Sequence, residues 1–173
     1  MLPLLWGKGM PEFNGELIRS PELICYPRPI QDHIPILIGG GGEKRTLRLA
    51  ARYADACNVF GDPDRVGHKA KVLAAHCDDF DRDPAEVEVT HLTNALAAPD
   101  RQTLRERVER LRDRNTSADA FMKRHNAGTV EDMVELFTAY SAAGADHSIV
   151  AIPDVWSEGS LETFGDVIAE FAD

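Results

Sequence analysis

Cysteine is scarce in this 173-residue chain, and none of it stands in a motif. Cys25, Cys57 and Cys77 lie far apart with no CxxC pair. An odd, sparse set excludes a disulfide framework and fits reduced thiols in a cytoplasm, where the protein is expected. The six histidines show neither HExxH nor HxH spacing, so no metal site is expected. No apolar run approaches the roughly 18 residues that a membrane span requires. Met1–Trp6 lacks the basic flank and the length of a signal peptide. Positive charge is short as well: 19 basic residues stand against 29 acidic ones, a net charge of −10. Such a surface repels phosphate backbones, which excludes nucleic acid as a partner. It does not exclude a single anion held locally by converging backbone N–H groups.

What is present is an ordinary soluble composition, 43% hydrophobic and 28% charged, with enough length for one sizeable core. Residues 1–34 are broken by proline and glycine and read mainly as loop. From residue 35 to 173 the pattern is regular. Pro35-Ile36-Leu37-Ile38 is an apolar run ending in four glycines, the look of a buried parallel strand. A helix through Leu47, Ala50, Ala51 and Ala54 follows, then a strand over Ala56–Phe60 stopped by Gly61. Val66, Ala70, Leu73, Cys77 and Phe80 form the stripe of a second helix. A third strand starts near Val87 and runs toward Leu96. Asp100 caps a charged helix through Leu104, Val108 and Leu111, and a short helix is expected near Ala118–Lys123. Thr129–Asp132 has the form of a capping box, opening a helix through Met133, Phe137 and Tyr140 that Gly144 ends. His147–Ile152 is the fourth strand. Ser160 is expected to cap a last helix with Leu161, Phe164, Ile168 and Phe171 facing inward. Four strand–helix units, with an insertion at about 99–128, require an α/β fold built on a parallel sheet. Periodicity does not choose between a doubly wound sheet and part of a barrel.

The segment from Pro35 through Gly39-Gly40-Gly41-Gly42-Glu43-Lys44-Arg45 to Asn58 closely resembles the luciferase-like oxidoreductases, in particular those assigned to the deazaflavin coenzyme F-420. Phe13-Asn14-Gly15-Glu16, Tyr26–Gln31, Arg82-Asp83-Pro84 and Tyr140–Asp146 fit the same family. The resemblance implies a (βα)8 TIM barrel of which this chain supplies the C-terminal half, strands five to eight. It further implies that Gly39–Gly42 grips the phosphate of a cofactor, and that Asn58 and Phe60 lie near further contacts. Lys44 and Arg45, cations in the first helical turn, oppose the helix dipole unless an anion is bound there. Coenzyme F-420 is favoured by the resemblance, and FMN fits the glycines equally.

Physical chemistry supports the glycine loop independently. Glycines let backbone approach a ligand, and a helix N-terminus favours an anion there. The spacing matches neither a P-loop nor a Rossmann fingerprint. The plain alternative is a turn that merely requires positive φ, and Lys44 and Arg45 fit equally well as solvated side chains. Phe60 is as compatible with packing as with ligand contact. His91, on strand three, reads better as a satisfied core residue than as a general base. Asp154 and Trp156 read as a solvated loop. No position matches the proton-transfer residues that the family carries mainly on its first four strands, so no catalytic residue is assigned. Half a barrel leaves two sheet edges and one face unpaired. A homodimer closing eight strands, or pairing with a separate N-terminal half, is therefore expected. The function classes that remain are a deazaflavin-dependent oxidoreductase, an FMN-dependent monooxygenase, and a non-catalytic remnant that binds an anion or self-associates.

Overall fold

A computed structural model describes residues 1–172, in two compact units, Met1–Ile36 and the chain from Leu37 onward. The first unit is less irregular than its proline and glycine content suggests. It holds a short helix α1 (Leu2–Trp6) and an antiparallel pair, β1 (Phe13–Asn14) with β2 (Arg19–Ser20). Proline at the first helical turn is tolerated because its missing N–H would be unpaired there. The Arg28 guanidinium donates to the carbonyls of Gly7 and Gly9 and so ties this unit together.

The second unit opens with β3 (Leu37–Gly39), the glycine loop, a π-helical turn over Glu43–Leu47 and α2 (Arg48–Tyr53). Strand β4 (Ala56–Val59) leads to α3 (Pro63–Asp78), whose N-cap Asp62 accepts from the Arg65 N–H. After β5 (Glu88–Asn94) the chain does not continue as one strand. Ala95 interrupts it, and β6 (Leu96–Ala98) pairs instead with β7 (Ala127–Thr129) in a separate two-stranded parallel sheet. Between these two come α4 (Arg101–Leu111) and α5 (Ala118–Arg124). Helix α6 (Val130–Ala142), β8 (His147–Ala151) and α7 (Ser160–Ala169) complete the unit. The main sheet is parallel throughout, in the order β3-β4-β5-β8.

The helices pack on one face of that sheet. Ile38, Cys57, Val59 and Val89 meet Leu47, Ala50, Ala51, Val66, Leu73, Cys77 and Tyr140 there. Fully burying the leucines and valines among them stabilises the fold by about 1.5–3 kcal/mol each. Phe164 and Val167 of α7 pack with Met133, Ala95 and Ala97, and the insertion has its own core of Leu96, Ala98, Leu104, Val108 and Phe121. On the opposite face Leu37, Leu92 and Ile149 stay 51%, 38% and 45% exposed, with Leu92 and Ile149 in register across β5 and β8.

Helix α7 departs from its sequence reading. Its N-cap is Gly159, at a φ of +74°, and Ser160 is the first helical residue. Thr163, Phe164 and Val167 face inward, whereas Leu161, Ile168 and Phe171 remain exposed. The cause is position: α7 flanks edge strand β8, so only part of its apolar stripe has a neighbour. The exposed remainder lines a groove of about 540 Å³ with Phe137, Ser148 and Val150. Among the described residues no helix is long and apolar enough to cross a membrane, and no His/Cys/Asp/Glu group could hold a metal.

Candidate functional site

The carboxyl ends of parallel strands are where α/β folds present ligand-binding loops, and the four glycines sit at such an end. Gly39 closes β3. Gly40 adopts a φ of +131°, a region essentially closed to residues bearing a Cβ. Its N–H donates to the Asn58 carbonyl at 2.9 Å. That bond occupies the Gly40 amide, because the parallel ladder with β4 extends one residue past Gly39. Gly41 and Gly42 differ. Among the described residues their N–H groups donate to no carbonyl or side chain.

The next turn is wide. The Leu47 N–H reaches back five residues to the Gly42 carbonyl at 3.0 Å, so the helix starts as a wide π turn. Such turns recur at functional sites. Any side chain at Gly42 would place its Cβ 2.9 Å from the Thr46 hydroxyl, and one at Gly40 would meet the Thr46 methyl at 3.2 Å. The loop is therefore shaped by glycine and packed against the Thr46 side chain.

Lys69 of α3 borders it too. Its Cε lies 3.6 Å from where a Gly41 Cβ would stand. Only 8% of the residue is exposed, and its ammonium donates to Glu43 at 2.5 Å. His68 adds a 3.1 Å contact to the same carboxylate, and His76 bonds the Glu43 backbone carbonyl at 2.8 Å. The Lys69 ammonium and then His68 hold the Glu43 carboxyl below its usual range. Glu43 is thus a carboxylate paired with the Lys69 ammonium. Lys44 and Arg45 are exposed at this turn, as a solvated reading requires and as a flexible anion contact also allows.

The other predicted residues take different places. Asn58 is 6% exposed and its amide donates to the Thr90 hydroxyl at 2.7 Å across the sheet. That amide is bonded within the protein. Phe60 is 50% exposed just beyond β4. His91 is fully buried on the helix side, stacked on Tyr140 at 3.8 Å and bonded to Ser148 at 2.7 Å. Burial pushes its imidazole below the ordinary value, and it belongs to the core, not the glycine mouth. The Cys57 thiol, raised to about 11 by burial and then by Cys77, is unreactive at neutral pH. Thr46 and Lys69 escaped the sequence reading. Lys69 did leave a signal, since it falls on the Val66–Leu73 stripe where an apolar side chain belongs.

A family profile described as luciferase-like monooxygenase matches residues 1–166. Pyrimidine monooxygenase RutA of Allorhizobium ampelinum is 39% identical over 51 residues, which cover 30% of this chain and 13% of that protein. Among solved structures, an F-420-dependent secondary alcohol dehydrogenase in complex with an F-420–acetone adduct superposes with a TM-score of 0.78 at 19% identity, covering 98% of this chain and 58% of the other. Riboflavin lyase with modified FMN and riboflavin gives 0.70 at 10% identity, covering 94% and 48%. This chain therefore spans about half the length of these structural neighbours. At such identities the superpositions establish the shared fold alone. With the profile running over nearly all of it, the chain belongs to the luciferase-like monooxygenase family.

Proposed function

We propose that this chain is the phosphate-gripping part of a luciferase-like oxidoreductase that moves hydride through coenzyme F-420. The observation that carries the reading is the pair of unbonded N–H groups at Gly41 and Gly42, in a loop where Gly40 and Gly42 approach Thr46 too closely for a Cβ. The residues present fit a phosphate group. Two amides and the Thr46 hydroxyl donate to its oxygens, the Lys69–Glu43 pair beside the loop is neutral as a unit, and Lys44 and Arg45 add solvated charge for the acidic tail of the deazaflavin. Gly39 and Gly40 hold the backbone close, and Gly40 does so by bonding Asn58. Asn58 with Thr90 stiffens the sheet below the loop, and Phe60 offers an apolar wall beyond β4. When bound, the deazaflavin supplies the hydride-accepting carbon. The protein's part at this site is to bind, orient and fix the phosphate end.

A second reading has one specific support. An FMN-holding neighbour shares the fold, and FMN presents the same phosphate. An FMN-dependent monooxygenase therefore uses the same loop. Side-by-side fluorescence titrations with FMN and coenzyme F-420 separate the readings. Tighter binding of the deazaflavin supports the first, tighter binding of FMN the second. Binding of neither at micromolar concentration leaves a non-catalytic remnant.

The wet sheet face and the free edges of β3 and β8 support a further element of the proposal. A complete active site needs more strands, supplied by a second copy of this chain or by a polypeptide carrying the other half of a barrel. Light scattering reports which. A homodimer mass supports the second copy, and a monomer that gains cofactor affinity only with the complementary half supports the other.

A further inference from the structure

The loop between β8 and α7 opens at the same end of the sheet as the glycine loop, and one residue on it has no structural task. Trp156 is 97% exposed. A bare indole in water is unfavourable, and on a floppy loop it would fold back onto apolar surface. Here the loop is held from below. Asp154 is 4% exposed, and its Oδ1 accepts from the Ser160 hydroxyl at 2.9 Å. Its Oδ2 lies 3.6 Å from Arg107 and 3.9 Å from Arg110, both on the inserted helix α4. Arg107 also donates to the Ala97 carbonyl at 2.8 Å, and Arg110 to the Ser157 hydroxyl at 3.1 Å. The Ser157 N–H closes back on the Asp154 carbonyl at 2.7 Å. Trp156 therefore stands on a short arch pinned at Asp154 and Ser157, two residues from the first and one from the second.

Pinning matters because an aromatic platform is useful in proportion to how little entropy remains to be lost on contact. A buried ion pair is a poor way to gain stability; its better-supported use is to fix one arrangement. Ligands gather at the carboxyl ends of the strands, and a planar ring system is the chemistry an immobile indole takes by stacking. We propose that Trp156 is a positioning residue that stacks on the ring system of the cofactor, held in place by the Arg107–Asp154–Ser160 latch. The proposal rests on the cofactor reading above.

The test uses the Trp6→Phe chain, in which Trp156 is the single tryptophan. FMN and coenzyme F-420 are titrated while indole emission and its anisotropy decay are followed. Binding that quenches Trp156, a Kd raised about tenfold or more in Trp156→Ala, and a Kd near the parent's in Trp156→Phe are the expected results. Ser160→Ala, milder than any change at Arg107, should quicken the indole's anisotropy decay while circular dichroism stays the same. Unchanged Kd in Trp156→Ala with cofactor still bound overturns the stacking and leaves the glycine-loop reading standing. Sub-nanosecond indole motion in the parent overturns the latch. No binding of either cofactor to the parent removes both.

Discussion

At the scale of single residues, Gly40 and His91 give the sharpest expectations. Gly40→Ala forces a Cβ into a φ of +131° and against Thr46, a strain of about 1–3 kcal/mol. Urea denaturation should show a loss of that order, and FMN affinity should fall with it, because the loop cannot keep its shape. A stability within 0.5 kcal/mol (about the scatter of neutral surface changes) would show the loop to be tolerant. His91 is neutral in the fold because burial lowers its pKa. The unfolded chain takes up that proton below about pH 6.5, so the stability His91 contributes is full above that value and lost as pH falls through it. Denaturation midpoints of the parent should therefore decline between neutrality and pH 5, and those of His91→Gln should decline less. His125, lowered by burial and then by Arg124, acts in the same window. Asp100, held low chiefly by the Thr103 N–H, loses its contribution only at more acidic pH. Part of this was legible beforehand, since a lone strand histidine reads as core. The reach of Lys69 to Glu43 was not, because those residues are 26 positions apart and nothing local couples them.

At the scale of elements, local chemistry told most where it closes on itself. The capping box at Thr129 and Asp132 forms as its spacing requires, and Asp100 caps α4 through the Gln102 and Thr103 N–H groups. Thr129→Ala should cost about 1 kcal/mol, read as a shift in the urea midpoint with an unchanged slope. An unchanged midpoint would mean α6 is held by packing alone. The β6–β7 pair was invisible, since three-residue strands far apart in sequence carry no period to read. The inward stripe of α7 was misread for a related reason. A 3.6-residue period finds the apolar face of a helix but not which part of that face has a neighbour. Leu161 and Ile168 lie on the uncovered part. A Leu161→Gln/Ile168→Gln double variant should keep the parent's stability to within a few tenths of a kcal/mol and lower its tendency to associate, as seen by sedimentation. Marked destabilisation would instead place those side chains in the core.

At the scale of the molecule, a parallel sheet carries helices on one face and leaves Leu37, Leu92 and Ile149 exposed on the other. The alternation of strands and helices made that sheet legible, while its choice between barrel and open sheet came from resemblance, not from periodicity. The chain alone should behave as an associating species, its mean mass rising with concentration in light scattering; a concentration-independent monomer mass would contradict this. The central claim, however, is that Gly41 and Gly42 receive a phosphate. The most direct measurement is the amide spectrum of the isotopically labelled protein during titration with FMN and, separately, with riboflavin, which lacks the phosphate. The account predicts that FMN shifts the Gly41 and Gly42 resonances far more than riboflavin does, and that inorganic phosphate moves them in the same direction. Equal shifts with both flavins, or none at those two glycines while others respond, would contradict it.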